Sequence, residues 1–185
     1  MKIYTKNGDK GLTSLYNSAK ISKSSVLIDL IGDLDELNCY IGNINSPRLL
    51  EDLQTWIFDL CTIIANPTHN YIFDKNEVVI KLLEKEIDDI SEELPKLNNF
   101  ILPTGDIHIA RAVTRRCERK LVNIVESTEY SHIPPNCLIF LNRLSDYLFT
   151  LARFENLDKR EVIYRKSNIL TNINSNDYSS IKTYT

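Results

Sequence analysis

Residues 26–44 read Val-Leu-Ile-Asp-Leu-Ile-Gly-Asp-Leu-Asp-Glu-Leu-Asn-Cys-Tyr-Ile-Gly-Asn-Ile. Leu27, Leu30, Ile31, Leu34, Leu37, Ile41 and Ile44 recur at steps of three and four, which is one face of a helix about five turns long. The same period returns four times downstream. It predicts a second helix over Leu49–Ala65, stopped by Asn66-Pro67, and a third over Lys75–Leu94, ended by Pro95. A fourth opens near Asp106, a candidate N-cap, and runs to about Glu126; a fifth runs from Pro135 to about Glu155. Five helices joined by short links in one domain predict an all-α fold, an antiparallel five-helix bundle with ferritin-like up-down packing. Residues 1–25 carry no such period and read as an irregular loop with turns at Asn7-Gly8 and Lys10-Gly11. Phe100 to Gly105 reads as a short extended link. Residues 1–165 therefore form the domain. Residues 166–185, eleven of them Ser, Thr or Asn, read as a polar tail too poor in apolar side chains to join the core.

Composition narrows the function. The 185 residues include 22 Lys and Arg against 25 Asp and Glu, a net charge of −3, which argues against a sequence-independent nucleic-acid binder. Five glycines and six prolines are too few for a turn-rich all-β fold. No apolar run reaches the ~18 residues of a membrane span, and residues 1–4 resemble neither a signal nor a transit peptide, so the expected location is cytoplasmic. Cys39, Cys61, Cys117 and Cys137 form no C-x-x-C pair and no zinc-ligand spacing. They read as four buried thiols in a reducing compartment, and no protein-bound metal is expected.

An anionic ligand would need a local concentration of positive charge, and residues 111–120 supply one: five cations and one carboxylate. Arg111, Arg115 and Arg119 lie within about 80° of one another on a helix, forming one stripe. Like charges four residues apart repel, so their partners must come from elsewhere. Arginine's fork suits carboxylate and phosphate equally. Asp35 beside the first apolar stripe is a candidate carboxylate partner from another helix or subunit. On the fifth helix Asn142 and Asp146 share a face, and Arg143 can pair with Asp146. The leader Thr5-Lys6-Asn7-Gly8-Asp9-Lys10-Gly11, with Thr13 and Ser14, has glycines, free N–H groups, lysines and hydroxyls suited to an anion, although no P-loop motif is present.

Taken in order, these segments resemble the PduO-type ATP:cob(I)alamin adenosyltransferases. The matching pieces are residues 3–11, Gly32 to Asn38, Ile41-Gly42, Phe100 to Gly105, His108 to Arg111, Arg115 to Arg119 and Leu141 to Phe149. The resemblance implies a homotrimer with active sites between subunits and transfer of the 5′-deoxyadenosyl group of ATP to cobalt, releasing triphosphate. It implies that Thr5, Lys6, Asn7, Gly8, Thr13, Ser14, Lys23, Arg115, Arg116, Glu118, Arg119 and Asn142 hold ATP with its Mg²⁺. Arg115 and Arg119 would act on the departing phosphates, and Phe100 would lie under the corrin of cobalamin. Asp35 and Arg111 would bridge neighbouring subunits. A reductase and a B12-dependent acceptor enzyme are implied partners. The link from Phe100 to His108 is shorter than the family pattern, with Thr104 in place of a glycine. A non-catalytic ATP-binding trimer or cobalamin-delivery chaperone therefore stays open as a second reading, and a bundle whose arginines serve only in ion pairs as a third.

Overall fold

A computed structural model describes residues 2–17, 19–127, 130–157 and 162–165. Five helices account for most of it: α1 (Val26–Gly42), α2 (Leu53–Ile64), α3 (Val78–Glu93), α4 (Asp106–Val125) and α5 (Pro135–Glu155). The leader is more ordered than its composition suggests. Leu12–Ser14 (β1) and Lys20–Ser22 (β2) pair antiparallel as a short hairpin, with Leu12 opposite Ser22 and Ser14 opposite Lys20. The Tyr16 N–H donates to the Ala65 carbonyl at 3.2 Å, which ties the hairpin to the end of α2.

The stripe that predicts α1 is the stripe it buries. Leu27, Leu30, Leu34, Leu37 and Ile41 are all buried, and the Ser25 hydroxyl caps the helix by accepting from the Ile28 N–H at 3.4 Å. α5 is the most deeply buried helix, with Phe140, Leu141, Leu144, Tyr147, Leu148 and Leu151 fully enclosed. Its first position is Pro135, where the missing N–H costs nothing. α4 lies between α1 and α5, α3 packs on the far side of α5 and α2 on the far side of α1. The helices thus neighbour one another in the order α2–α1–α4–α5–α3, and α3 returns to α2: Val79 lines one hollow with Trp56, Asp59 and Ile63, and Arg48 ahead of α2 pairs with Glu93. The Tyr147 hydroxyl donates to the Arg48 carbonyl and accepts from the Leu50 N–H at 3.2 Å, holding the α1–α2 link against α5.

An ion-pair ladder joins α1 to α4. Lys120 meets Asp29 at 2.6 Å and Asp33 at 2.8 Å; Arg116 meets Asp33 at 3.0 Å and also pairs with Glu36. Burial pulls the pKa of both cations down, but the hydrogen bonds and charges of these carboxylates outweigh it and leave both raised.

Four expectations need correction. α2 begins at Leu53 rather than Leu49, because residues 43–52 turn around the Ser46 hydroxyl, which donates to Glu155 and accepts from the Arg48 N–H at 3.2 Å. α3 begins at Val78 rather than Lys75. The Asp74 carboxylate accepts from the Val79 and Ile80 N–H groups, each at 2.9 Å, and reaching them bends the chain through left-handed backbone at Asp74, Asn76 and Glu77 (φ 48°, 70° and 58°). Such angles are uncommon outside glycine. Asp106 is the first helical residue, and Gly105, with φ 83°, is the cap. The 166–185 tail lies outside the described residues. All four cysteines are free, but only Cys117 and Cys137 are buried; Cys61 is half-buried and Cys39 is exposed on α1.

Burial pushes the Cys117 and Cys137 thiols and the Tyr147 phenol up to about 12. These groups stay protonated in the fold but ionise more readily in the unfolded chain, near 9.0 for the thiols and 10.0 for the phenol. The stability they lend is therefore full below about pH 9 and is lost as the pH climbs toward 12. A melting series should show a Tm that falls as the pH rises above about 9. Iodoacetamide at about pH 8 should leave Cys117 and Cys137 unmodified until denaturant is added, with modification read by mass spectrometry.

Candidate functional site

Helical geometry divides the cations of α4 between two faces. Arg116 and Lys120 point at α1 and are held by Asp29, Asp33 and Glu36. Arg111, Arg115 and Arg119 point elsewhere, and among the described residues none of them has an ion-pair partner. Arg119 donates only to the Arg115 carbonyl, at 3.0 Å. Arg115 and Arg119 are exposed, whereas Arg111 is half-buried and its Nε is enclosed with no hydrogen-bond partner. Burial and, after it, the charge of Arg115 pull the Arg111 pKa down. An enclosed guanidinium nitrogen without an acceptor is a costly arrangement for a lone chain. Asp35 is exposed on α1 and forms no ion pair with Arg111 within the chain. Arg116, expected with the nucleotide like its neighbours, is instead engaged with α1.

Beside the arginine stripe, α5 brings up Asn142. Its Nδ2 donates to the Glu118 carboxylate of α4 at 2.8 Å, so these two candidate ATP residues meet directly. Arg143 does not pair with Asp146 as the i, i+3 spacing suggests. Its Nε donates to Glu84 of α3 at 2.6 Å and its Nη1 to the Asn142 Oδ1 at 2.9 Å. No sequence signal connects positions 84 and 143; they meet only because α3 packs on α5.

The leader forms a tight double turn. The Asp9 N–H donates to the Lys6 carbonyl at 3.4 Å and the Gly11 N–H to the Gly8 carbonyl at 3.1 Å. Lys6 (φ 61°) and Gly11 (φ 75°) take left-handed backbone, and the Thr5 hydroxyl accepts from the Asn7 N–H at 3.5 Å. Lys23 closes the turn from the link between β2 and α1. Its N–H donates to the Gly11 carbonyl at 2.9 Å, and its ammonium lies so near Gly8 that a Cβ there would meet Nζ at 2.8 Å. A side chain at position 8 would displace that ammonium. Thr13 and Ser14 sit in β1, opposite Ile21 and Lys20. The expected residues from Thr5 to Lys23 are thus gathered by one hairpin. Among the described residues, no hydrogen bond or ion pair joins this hairpin to Arg115 or Arg119.

Phe100 is 83% exposed. The link that carries it is fixed by a segment sequence analysis passed over: Ile101 bridges Ile163, the Leu102 N–H donates to the Val162 carbonyl and the Tyr164 N–H to the Phe100 carbonyl, both at 2.8 Å. Leu97, Asn98, Asn99, Phe100 and Tyr164 line one hollow. With Leu97, Leu102, Val162 and Ile163 also exposed, the result is a contiguous apolar surface next to Phe100, suited to a large flat ligand.

The chain matches the family model described as cobalamin adenosyltransferase over residues 3–155. It is 38% identical over 172 residues to a corrinoid adenosyltransferase of Bacillus subtilis, covering 84% of this chain and 87% of that one. It is 35% identical over 189 residues to the human corrinoid adenosyltransferase MMAB, covering 90% and 74%. A solved structure of a variant PduO-type ATP:corrinoid adenosyltransferase from Lactobacillus reuteri, complexed with cobalamin and ATP, superimposes with a TM-score of 0.80 at 34% identity, covering 90% of this chain and 98% of that one. A family match over most of the chain, relatives at this identity and a shared fold lead to one conclusion: the chain belongs to the cobalamin adenosyltransferase family.

Proposed function

We propose that this chain transfers the 5′-deoxyadenosyl group of ATP to the cobalt of cob(I)alamin and releases triphosphate, as a homotrimer with its sites at subunit boundaries. The observation that carries the reading is the division of α4: two cations are spent on α1, while among the described residues Arg111, Arg115 and Arg119 remain without carboxylates. A stripe that served only ion pairs within its own chain would be neutralised as Arg116 and Lys120 are. The free stripe and the glycine turn under Lys23 suit the two ends of a polyphosphate. Since no contact joins them in one chain, a neighbouring copy is the natural source of the second half. The same copy would supply Asp35 to the enclosed Arg111.

The chemistry asks little else of the protein. Co(I) is itself the nucleophile: a cobalt–carbon bond forms at C5′, the C5′–oxygen bond breaks, and its electron pair leaves with triphosphate. No side chain need act as base. The chain's task is to hold C5′ in line with cobalt and to stabilise the departing charge, which is positioning and electrostatic work. Arg115, Arg119, Lys6 and Lys23 face that charge together with the Mg²⁺ that accompanies ATP. Glu118 and Asn142 fix the nucleotide's orientation beside them. Arg116 serves by locking α4 on α1, so that the stripe faces outward. Phe100, with Tyr164 beside it, offers the apolar bed on which a corrin can lie without a lower axial ligand, and loss of that ligand eases reduction of Co(II). Four free cysteines suit the reducing cytoplasm, where a reductase and a B12-dependent acceptor enzyme would meet this product.

Protein mixed with ATP, Mg²⁺ and chemically reduced cobalamin should show the absorbance change of cobalt–carbon bond formation with equal release of triphosphate. ATP-dependent thermal stabilisation without triphosphate would favour the binding-only reading instead. Arg115→Ala and Arg119→Ala should each lower kcat/KM about 10²–10³-fold without changing the melting temperature of the free protein. Phe100→Ala should slow the reaction from Co(II) far more than from pre-reduced Co(I). In sedimentation, Arg111→Glu should break the trimer and Asp35→Arg in the same chain should restore it.

A further inference from the structure

We infer that Glu84 of α3 and Arg143 of α5 are positioning residues for the nucleotide, acting through the side-chain amide of Asn142. The inference rests on the reading that Asn142 faces ATP. A continuous chain of polar contacts crosses three helices: Glu84 accepts from Arg143 Nε at 2.6 Å, Arg143 Nη1 donates to Asn142 Oδ1 at 2.9 Å, and Asn142 Nδ2 donates to Glu118 at 2.8 Å.

Each link sets the next. An amide side chain can present either its oxygen or its NH₂ group to a neighbour, and the two differ by one rotation. Here both neighbours demand the same orientation, because a guanidinium can only donate and an ionised carboxylate can only accept. The oxygen must therefore face Arg143 and the NH₂ group Glu118, which leaves one amide hydrogen and one lone pair with fixed directions for a ligand. Arg143 meets the requirement because its planar fork serves two acceptors at once from fixed angles. Glu84 anchors that fork from α3. Arg143 and Glu84 are each more than a third exposed at the side chain, so neither is needed to fill the core. A lysine at 143 keeps the charge but cannot hold both acceptors in that geometry.

Position 84 lies outside the segments that resemble the family, on a helix that contributes no other residue to the site, and meets one of those segments through Arg143. The arrangement gives α3 a function, namely to set the direction of a hydrogen bond made two helices away.

The test is a double-mutant cycle on ATP affinity, read by calorimetry with MgATP and no corrinoid, so that it does not depend on turnover. Glu84→Ala and Arg143→Lys should each weaken ATP binding about three- to tenfold, with Glu84→Gln, which keeps an acceptor, between wild type and Glu84→Ala. In an Asn142→Ala background, Glu84→Ala and Arg143→Lys should have no further effect on affinity, because the group they orient is gone. Melting curves on every variant identify loss of folding, and Glu84→Gln supplies the comparison if Glu84→Ala melts early. Equal weakening with Asn142 present or replaced, or no weakening by either variant where Asn142→Ala weakens binding, would overturn the inference. ATP affinity unchanged by Asn142→Ala would overturn it as well. A wild-type protein that binds ATP and shows this coupling yet forms no cobalt–carbon bond would leave the inference standing and remove the catalytic reading.

Discussion

The site depends on the hold that Asp33 exerts on α4. Its carboxylate, only 14% exposed, lies between Arg116 and Lys120 and fixes the rotation of α4 about its own axis. Because residues 111, 115 and 119 sit about 60° to 180° round the helix from 116 and 120, that rotation directs one pair of cations toward α1 and three away from it. The ladder is individually modest, since partly exposed ion pairs contribute little to stability. Its value is angular. The same carboxylates that neutralise two cations define which three stay unneutralised, and so the concentration of free positive charge is a consequence of how α1 and α4 meet.

A second constraint runs through α5. This helix buries more residues than any other, and several of its polar groups are tied to other elements. Tyr147 grips the α1–α2 link, while Asn142 and Arg143 link to α4 and α3. A helix so enclosed is a rigid mount, and groups held on rigid elements keep the geometry that orientation-dependent catalysis requires. The leader is a contrasting device: a hairpin whose glycine at position 8 lets an ammonium approach the backbone, held to the bundle at its tip by Tyr16.

Much of this is legible in the sequence, for definite reasons. The leucine stripes of α1 and α5 are long and regular, and most of their members are buried, although α5 also buries Phe140 and Tyr147, which no leucine period marks. The arginine stripe is legible because i, i+4 spacing fixes angle on any helix. What periodicity cannot supply is rotation relative to neighbours, and so Arg116 looks equivalent to Arg115 until α1 is placed beside it. The starts of α2 and α3 depend on the Ser46 and Asp74 side chains, which accept from backbone N–H groups two to six residues further on, and a reading of apolar period does not capture them. The contact of Glu84 with Arg143 and the pairing of residues 162–164 with 100–102 are long-range, and nothing local marks them.

α1, α4 and α5 carry the arginines, Asn142 and their supports, whereas α2 and α3 are joined by a strained turn at Asp74–Glu77. The stretch between residues 43 and 99 is nonetheless tied to the central helices at several points: Ser46 to Glu155, Arg48 and Leu50 to Tyr147, Glu84 to Arg143 and Pro95 to Arg153. An insertion or deletion there has to respect those anchors, which confines tolerated length variation to the turns between them.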